Sequence, residues 1–306
     1  MPSYPRAPSA AFRQLLKGPL APLLQRRLVA GSPVDPQLRD PDVLSLYVGG
    51  TSVLSVRLLG EEVELSTHRS YGAALFEGAR SVGEYLVLRA AVDGLSERVG
   101  EYLDQVKIKR RFLESEGAVQ SAWSRVEAPW MNLDREAQIT YASREEQRAL
   151  REAPEVAVAS AEVQALAAGW APVPPPNRAA KLDRLAVDGE GRLVLLELKD
   201  GAASAGLYYA PLQLLQYVWE WHRALESLRE GLEALRLARV ELGLSPLEIP
   251  GISGGIRPVL AWGEGSPRAE VGRRLRQVLA VANRHRPAGV GEMEIWGLRG
   301  GVGARH

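Results

Sequence analysis

Apolar residues follow two different rhythms along this chain. Over residues 43–67, VLSLYVGGTSVLSVRLLGEEVELST, short alternating runs are broken by Gly-Gly-Thr and Gly-Glu-Glu, the pattern of a small antiparallel meander. Over residues 83–114 the apolar positions Leu86, Ala90, Leu95, Val99, Leu103 and Val106 recur every three or four residues, which predicts a long helix with Gly94 as its weak point. Residues 115–142, with Trp123, Pro129 and Trp130, yield no firm element. Beyond residue 140 helix and strand patterns alternate. Ser143 followed by Glu146 is a capping box that opens a short helix, SREEQRALREA, which Pro154 is expected to end. Residues 155–169 fit neither period, and the prolines of residues 172–176 read as an extended connection. A hairpin over residues 181–201 comes next, then a helix at 211–237, a strand at 257–262, a helix at 267–282 and a strand at 292–298. This order predicts an N-terminal α+β domain, residues 1–140, and a C-terminal α/β domain, residues 141–306, with a mixed sheet flanked by helices.

The hairpin KLDRLAVDGEGRLVLLELKDG carries charge where an apolar strand has no use for it. Removing a carboxylate or an ammonium group from water costs several kcal/mol unless it is paired or bound to a metal. A three-residue loop of Gly189, Glu190 and Gly191, with Gly191 left-handed, sets Asp188 opposite Arg192 and Asp183 opposite Glu197. Strand alternation then brings Lys199 to the face of Glu197, while Val194, Leu196 and Leu198 point the other way. A two-residue turn would shift the register by one and separate the acids. Two carboxylates and the backbone carbonyl of Leu198 are a sufficient protein contribution for Mg²⁺ or Mn²⁺, which take oxygen ligands and keep several waters. The same spacing also serves a plain salt bridge from Lys199 to Asp183 or Glu197.

Asp183, then Glu197-Leu198-Lys199 fourteen residues on, in a hairpin between two helices, resembles the PD-(D/E)XK nuclease superfamily. Gln213-Leu-Leu-Gln-Tyr217 resembles the QxxxY motif of its RecB-type branch, and residues four apart share a helix face. The resemblance covers residues 143–262. It implies a restriction-endonuclease-like core and a Mg²⁺- or Mn²⁺-dependent nuclease acting on DNA ahead of RNA, in repair, recombination or defence. Asp183, Glu197 and Lys199 would be catalytic, with Asp183, Glu197 and the Leu198 carbonyl on the metal and Gln213 and Tyr217 in support. Leu182 stands where the superfamily often has proline, and Glu145 competes with Glu146 for the role of an acid on the first core helix. Because Glu146 has a capping role, Glu145 is the candidate. The arrangement is also similar to NucS-type mismatch endonucleases, whose β-rich N-terminal domain assists DNA binding and dimerisation; a homodimer is therefore an assembly to test. A catalytically silent nuclease fold that binds nucleic acid or a protein is the alternative.

Composition narrows the remaining choices. Cysteine is absent, which excludes disulfides and thiolate metal sites and suits a reducing cytoplasm. No secretory h-region and no apolar run of about 18 residues occurs, so a cytoplasmic protein with no membrane partner is expected. The four histidines lack paired metal-ligand spacing, and no GxxxxGK[ST] loop exists. A net charge of +1 provides no global attraction to nucleic acid. Two local patches could: Lys107, Lys109, Arg110 and Arg111 in QVKIKRRF, and Arg273, Arg274 and Arg276 beside a single acid, Glu270. Each also fits a solvated helix face.

Overall fold

A computed structural model of the chain describes residues 1–26, 33–114, 116–125, 128–167, 181–201, 205–245, 250–264, 267–299 and 302–305. The polyproline connection at 172–176 lies outside these residues. The described chain is mixed α/β, with two six-stranded sheets and seven α-helices. It divides into two compact units, one formed by residues 5–124 and 234–247, the other by 1–4, 125–233 and 248–306. The division thus falls near residue 125 rather than 140.

The first unit contains α1 (Ala10–Lys17), α2 (Ala21–Gln25), α3 (Leu95–Gln105) and α4 (Glu116–Trp123). Its antiparallel sheet has the order β1-β2-β3-β4-β6-β5, with β1 Val34–Asp40, β2 Val43–Val48, β3 Thr51–Leu59, β4 Glu62–His68, β5 Arg80–Val82 and β6 Tyr85–Ala91. The expected meander is β2 to β4, and β1 adds an unforeseen strand whose first five residues are buried, Pro36 among them. The long helix expected over 83–114 is overturned. Gly83 and Gly94 have φ of +58° and +68°, left-handed values that break any helix, and α3 begins only at Leu95. Leu86 and Ala90 misled because a spacing of four satisfies both periods: with Leu88 between them they form one face of β6.

The second unit is built on the mixed sheet β12-β11-β10-β9-β8-β7. Its strands are β7 (Trp130–Ala137), β8 (Leu182–Asp188), β9 (Leu193–Lys199), β10 (Ile256–Glu264), β11 (Glu294–Arg299) and β12 (Val302–Arg305). β7, β8 and β9 are antiparallel; β9, β10 and β11 are parallel. Three helices accompany them, α5 (Arg144–Ala167), α6 (Ala205–Glu241) and α7 (Ala269–Arg284). The crossovers β9-α6-β10 and β10-α7-β11 run the same way across the sheet, so right-handed connection puts α6 and α7 on one face. α5 packs against α7, with Arg284 donating to Gln164 at 3.3 Å.

Proline stops neither α5 nor α6. α5 continues through Pro154 and buries Val158, Ala161 and Ala165 beyond it, while α6 begins before Pro211 and carries it inside. A proline forfeits one backbone bond and costs about 3 kcal/mol in a helix interior. Burying three further side chains along α5 offsets that amount. α6 is apolar around much of its girth, with Leu212, Leu214, Leu215, Val218 and Trp221 all buried, as expected of a helix covered on more than one face. Among the described residues no helix is long and apolar enough to cross a membrane.

Candidate active site

The hairpin turn decides the geometry of the site. Gly191 adopts φ +77°, its N–H bonds to the Asp188 carbonyl at 3.0 Å, and the Asp188 N–H bonds to the Arg192 carbonyl at 3.1 Å. The Asp188 carboxylate accepts from the N–H groups of Glu190 and Arg192, both at 3.0 Å, and closes the loop. A three-residue loop results. Leu193 therefore pairs with Val187, and the ladder runs on through Arg184 opposite Leu196. Continued by one residue beyond that pair, the same register would set Asp183 opposite Glu197. Directly opposed residues have Cβ atoms about 5 Å apart on the same face.

Glu197 is fully buried, and Lys199, 16% exposed, makes an ion pair with its Oε1. Oδ2 of Asp183 accepts the Leu198 N–H at 2.8 Å. A strand residue directs its N–H and C=O to the same side, so the Leu198 carbonyl also faces the Asp183 edge. Two carboxylates, a carbonyl and an ammonium group thus meet where β8 begins and β9 ends. This hard oxygen donor set fits a divalent ion of the Mg²⁺ class.

α6 braces this corner. Gln213 Nε2 donates to the Tyr217 hydroxyl at 3.4 Å, and that hydroxyl donates to the Lys181 carbonyl at 3.3 Å, two residues before Asp183. Burial pushes the Tyr217 phenol well above its ordinary pKa, and the negative charges of Glu197 and Asp183 push it further. The phenol therefore stays protonated and serves as a donor. Its response to both acids places all three groups in one electrostatic neighbourhood.

Not every candidate joins them. Glu145 is exposed on the first turn of α5, and its carboxyl is held below the ordinary range by its own backbone N–H and Ser143. Glu146 forms the expected capping box, accepting the Ala142 N–H at 2.7 Å while its own N–H reaches Ser143 Oγ at 3.1 Å. Among the described residues no group of three metal-ligating side chains exists, so neither glutamate adds a third acid to the pair. The buried acid on α6 is instead Glu220, which takes the Tyr141 hydroxyl and, at 2.8 Å, Arg151 of α5. Its sequence signal was the spacing Gln213, Tyr217, Glu220, one helix face at i, i+4 and i+7. Sequence reasoning also gave no signal for Glu136. It lies on β7 between Arg135 and Ala137, which pair with Arg184 and Leu182 of β8, has the unusual φ of +49°, and pairs with Lys181 at 3.6 Å.

The basic patches divide. Lys109 and Arg111 line a cavity of about 300 Å³ on the first unit's sheet, beside Tyr47, Tyr71, Tyr85 and His68. Arg110 pairs with Glu114, and Lys107 is exposed next to the cavity residues. On α7, Arg273 and Arg274 both bind Glu270 at 2.8 Å, and Arg274 stacks over Tyr208. Arg276 is exposed and enters neither ion pair. No family model, curated protein or solved structure matches this chain significantly.

Proposed function

We propose that this protein is a metal-dependent nuclease of the PD-(D/E)XK type, with a restriction-endonuclease-like core in its second unit and DNA as the favoured substrate. One observation supports the reading: Lys199 pairs with Glu197 and the Leu198 N–H bonds to Asp183, at the end of a hairpin whose register, continued one residue past Arg184 and Leu196, would set Asp183 opposite Glu197. Asp183, Glu197 and the Leu198 carbonyl would hold Mg²⁺ or Mn²⁺. An ion held by these residues would supply charge neutralisation at a phosphodiester and a lowered pKa for a water. Lys199 orients that water or stabilises the charge growing on the phosphate. Gln213 and Tyr217 are positioning residues, tying α6 to the strand start that carries Asp183. Arg276, exposed on α7 of the same unit, would supply a phosphate contact, and Lys109 and Arg111 are candidates for phosphate contacts within the first unit by itself.

A second reading has its own observation. Lys199 closes on Glu197 and Leu198 on Asp183, as they would if the ion pair only satisfied a buried charge in a silent nucleic-acid-binding fold. One experiment separates the two. The parent and Asp183→Asn are incubated with single-stranded, double-stranded, branched and mismatched DNA and with RNA, in Mg²⁺ or Mn²⁺. A nuclease cleaves at least one substrate, and Asp183→Asn loses cleavage by several orders of magnitude while retaining most affinity. A parent that binds and cleaves nothing supports the silent fold.

A further inference from the structure

The polar cavity of the first unit follows from its strand registers. Ser45 of β2 pairs with Ser55 of β3, and Ser55 with Ser66 of β4, so three serines stand in one row across three adjacent strands. Directly opposed side chains lie about 5 Å apart on the same face, and the hydroxyls of Ser45 and Ser55 are 2.9 Å apart. Gln37 of β1 extends the row beyond Ser45; it is 2% exposed, and its amide oxygen accepts no hydrogen bond among the described residues. A one-residue slip in the β2–β3 ladder sets Tyr47 opposite Ser52, which returns Ser52 to the serine face. The other face is apolar core, with Leu44, Leu46, Leu54, Val56 and Leu65 all fully buried. Serine side chains are short, and their row borders the open space of about 300 Å³.

A cation-bearing turn closes that space. The turn Arg110–Phe112 is fixed to the β2–β3 connection, where the Gly50 N–H donates to the Phe112 carbonyl at 2.8 Å. Gly49 is left-handed at φ +59°, and a Cβ on it would stand 1.9 Å from the same carbonyl oxygen, so only glycine allows this approach. The docked turn brings Lys109 and Arg111, both exposed, to the cavity wall. Arg110 between them turns to Glu114, while Lys109 and Arg111 have no carboxylate partner among the described residues. No carboxylate stands among the described residues that line the space. A further wall is aromatic. His68 of β4 pairs with Tyr85 of β6, their rings 6.0 Å apart, and Tyr85 is 54% exposed.

Each wall selects a chemical group. A guanidinium and an ammonium with no acid beside them attract an oxyanion, and the guanidinium fork matches two oxygens of a phosphate. Serine hydroxyls both donate and accept, which suits a ligand rich in hydroxyls. The exposed phenol ring offers a flat apolar surface to a ring laid against it. The volume lies at the lower end of the roughly 300–1,000 Å³ of small-molecule sites, so a single ring carrying its phosphate fits. We infer that this cavity binds a small phosphorylated sugar, mononucleotides included. The inference stands on the first unit alone and does not rest on the nuclease reading of the acid pair.

Calorimetric titration of the full chain without divalent ion tests it, with ribose-5-phosphate and adenosine monophosphate as probes. Ribose, inorganic phosphate and a single-stranded oligonucleotide are the comparisons. At least one phosphorylated sugar should bind about tenfold or more tighter than ribose or inorganic phosphate, because it engages the cations and the serine row together. Lys109→Ala combined with Arg111→Ala should weaken that binding about tenfold or more, the scale of a lost charge-assisted hydrogen bond. Ser55→Leu should abolish it by filling the row at its centre. If Ser55→Leu does not fold, Ser66→Val fills the row from β4 with a side chain that strands favour. Failure of both sugars to bind, binding no tighter than that of inorganic phosphate, or binding that survives filling overturns the inference. An oligonucleotide that binds tighter than both sugars through the same two cations also overturns it, since the cavity would then belong to a nucleic-acid surface. Cleavage takes no part in this readout, so the nuclease reading stands or falls separately.

Discussion

Glu197 and Lys199 are the residues on which the site turns, because a fully buried carboxylate needs a compensating charge. Removing the cation is the severe change. Lys199→Ala should cost about 3–5 kcal/mol in denaturant unfolding without metal, and added Mg²⁺ should recover part of it. Asp183→Asn should be mild, within about 1 kcal/mol, since the amide oxygen can still accept the Leu198 N–H. If Lys199→Ala unfolds at the parent's midpoint, the ion pair is not what compensates Glu197. A third residue reports through pH. Burial pushes the Glu294 carboxyl upward, but hydrogen bonds from Arg257 and Trp296 outweigh it and the net pKa is lowered. A lowered folded pKa contributes stability that is present above the unfolded value, about 4.3, and is lost as pH falls through the folded value. Arg257→Gln should therefore destabilise by roughly 1.5–3 kcal/mol at pH 7, with the difference from the parent shrinking below about pH 4. Thermal melts across pH 3–7 check the sign.

At the scale of elements the β8–β9 turn matters most. Gly191 is left-handed, and an added Cβ would sit 2.2 Å from the Gly251 carbonyl oxygen. Gly191→Ala should cost more than about 1–2 kcal/mol from backbone handedness alone, with the clash added. A slipped register would move Asp183 off the Glu197 face, so a folded Gly191→Ala protein should lose its response to Mg²⁺ more than its stability. Calorimetric metal titration against the melting temperature separates the two. The turn, the capping box and the order of elements from 181 to 299 were legible because glycine chemistry and alternation are local. β6 was not. Its apolar spacing satisfied helix and strand alike, and pairing with β4 and β5 decided between them.

Across the whole molecule the near-neutral charge makes nucleic-acid affinity a matter of a few local contacts. Arg276→Ala should flatten the salt dependence of DNA binding by about 0.7–0.9 in log–log slope, whereas Arg273→Ala, already tied to Glu270, should change it far less. Equal slopes for the two variants would show that Glu270 releases Arg273 on binding. Mg²⁺ at a hundred times its dissociation constant should raise the parent's stability by about 2.7 kcal/mol, a shift absent in Asp183→Asn.

The sequence by itself determined the α/β alternation, the hairpin register and the shared face of Glu197 and Lys199, because each follows from chain-local periodicity and one glycine turn. Only the tertiary structure decided that helices run through Pro154 and Pro211, where the burial gained beyond a proline exceeds the bond it removes. It also decided which acid is buried on α6 and which arginines of α7 pair with Glu270. These depend on the packing of α5, α6 and α7, and a partner that is remote in sequence leaves no trace in local spacing.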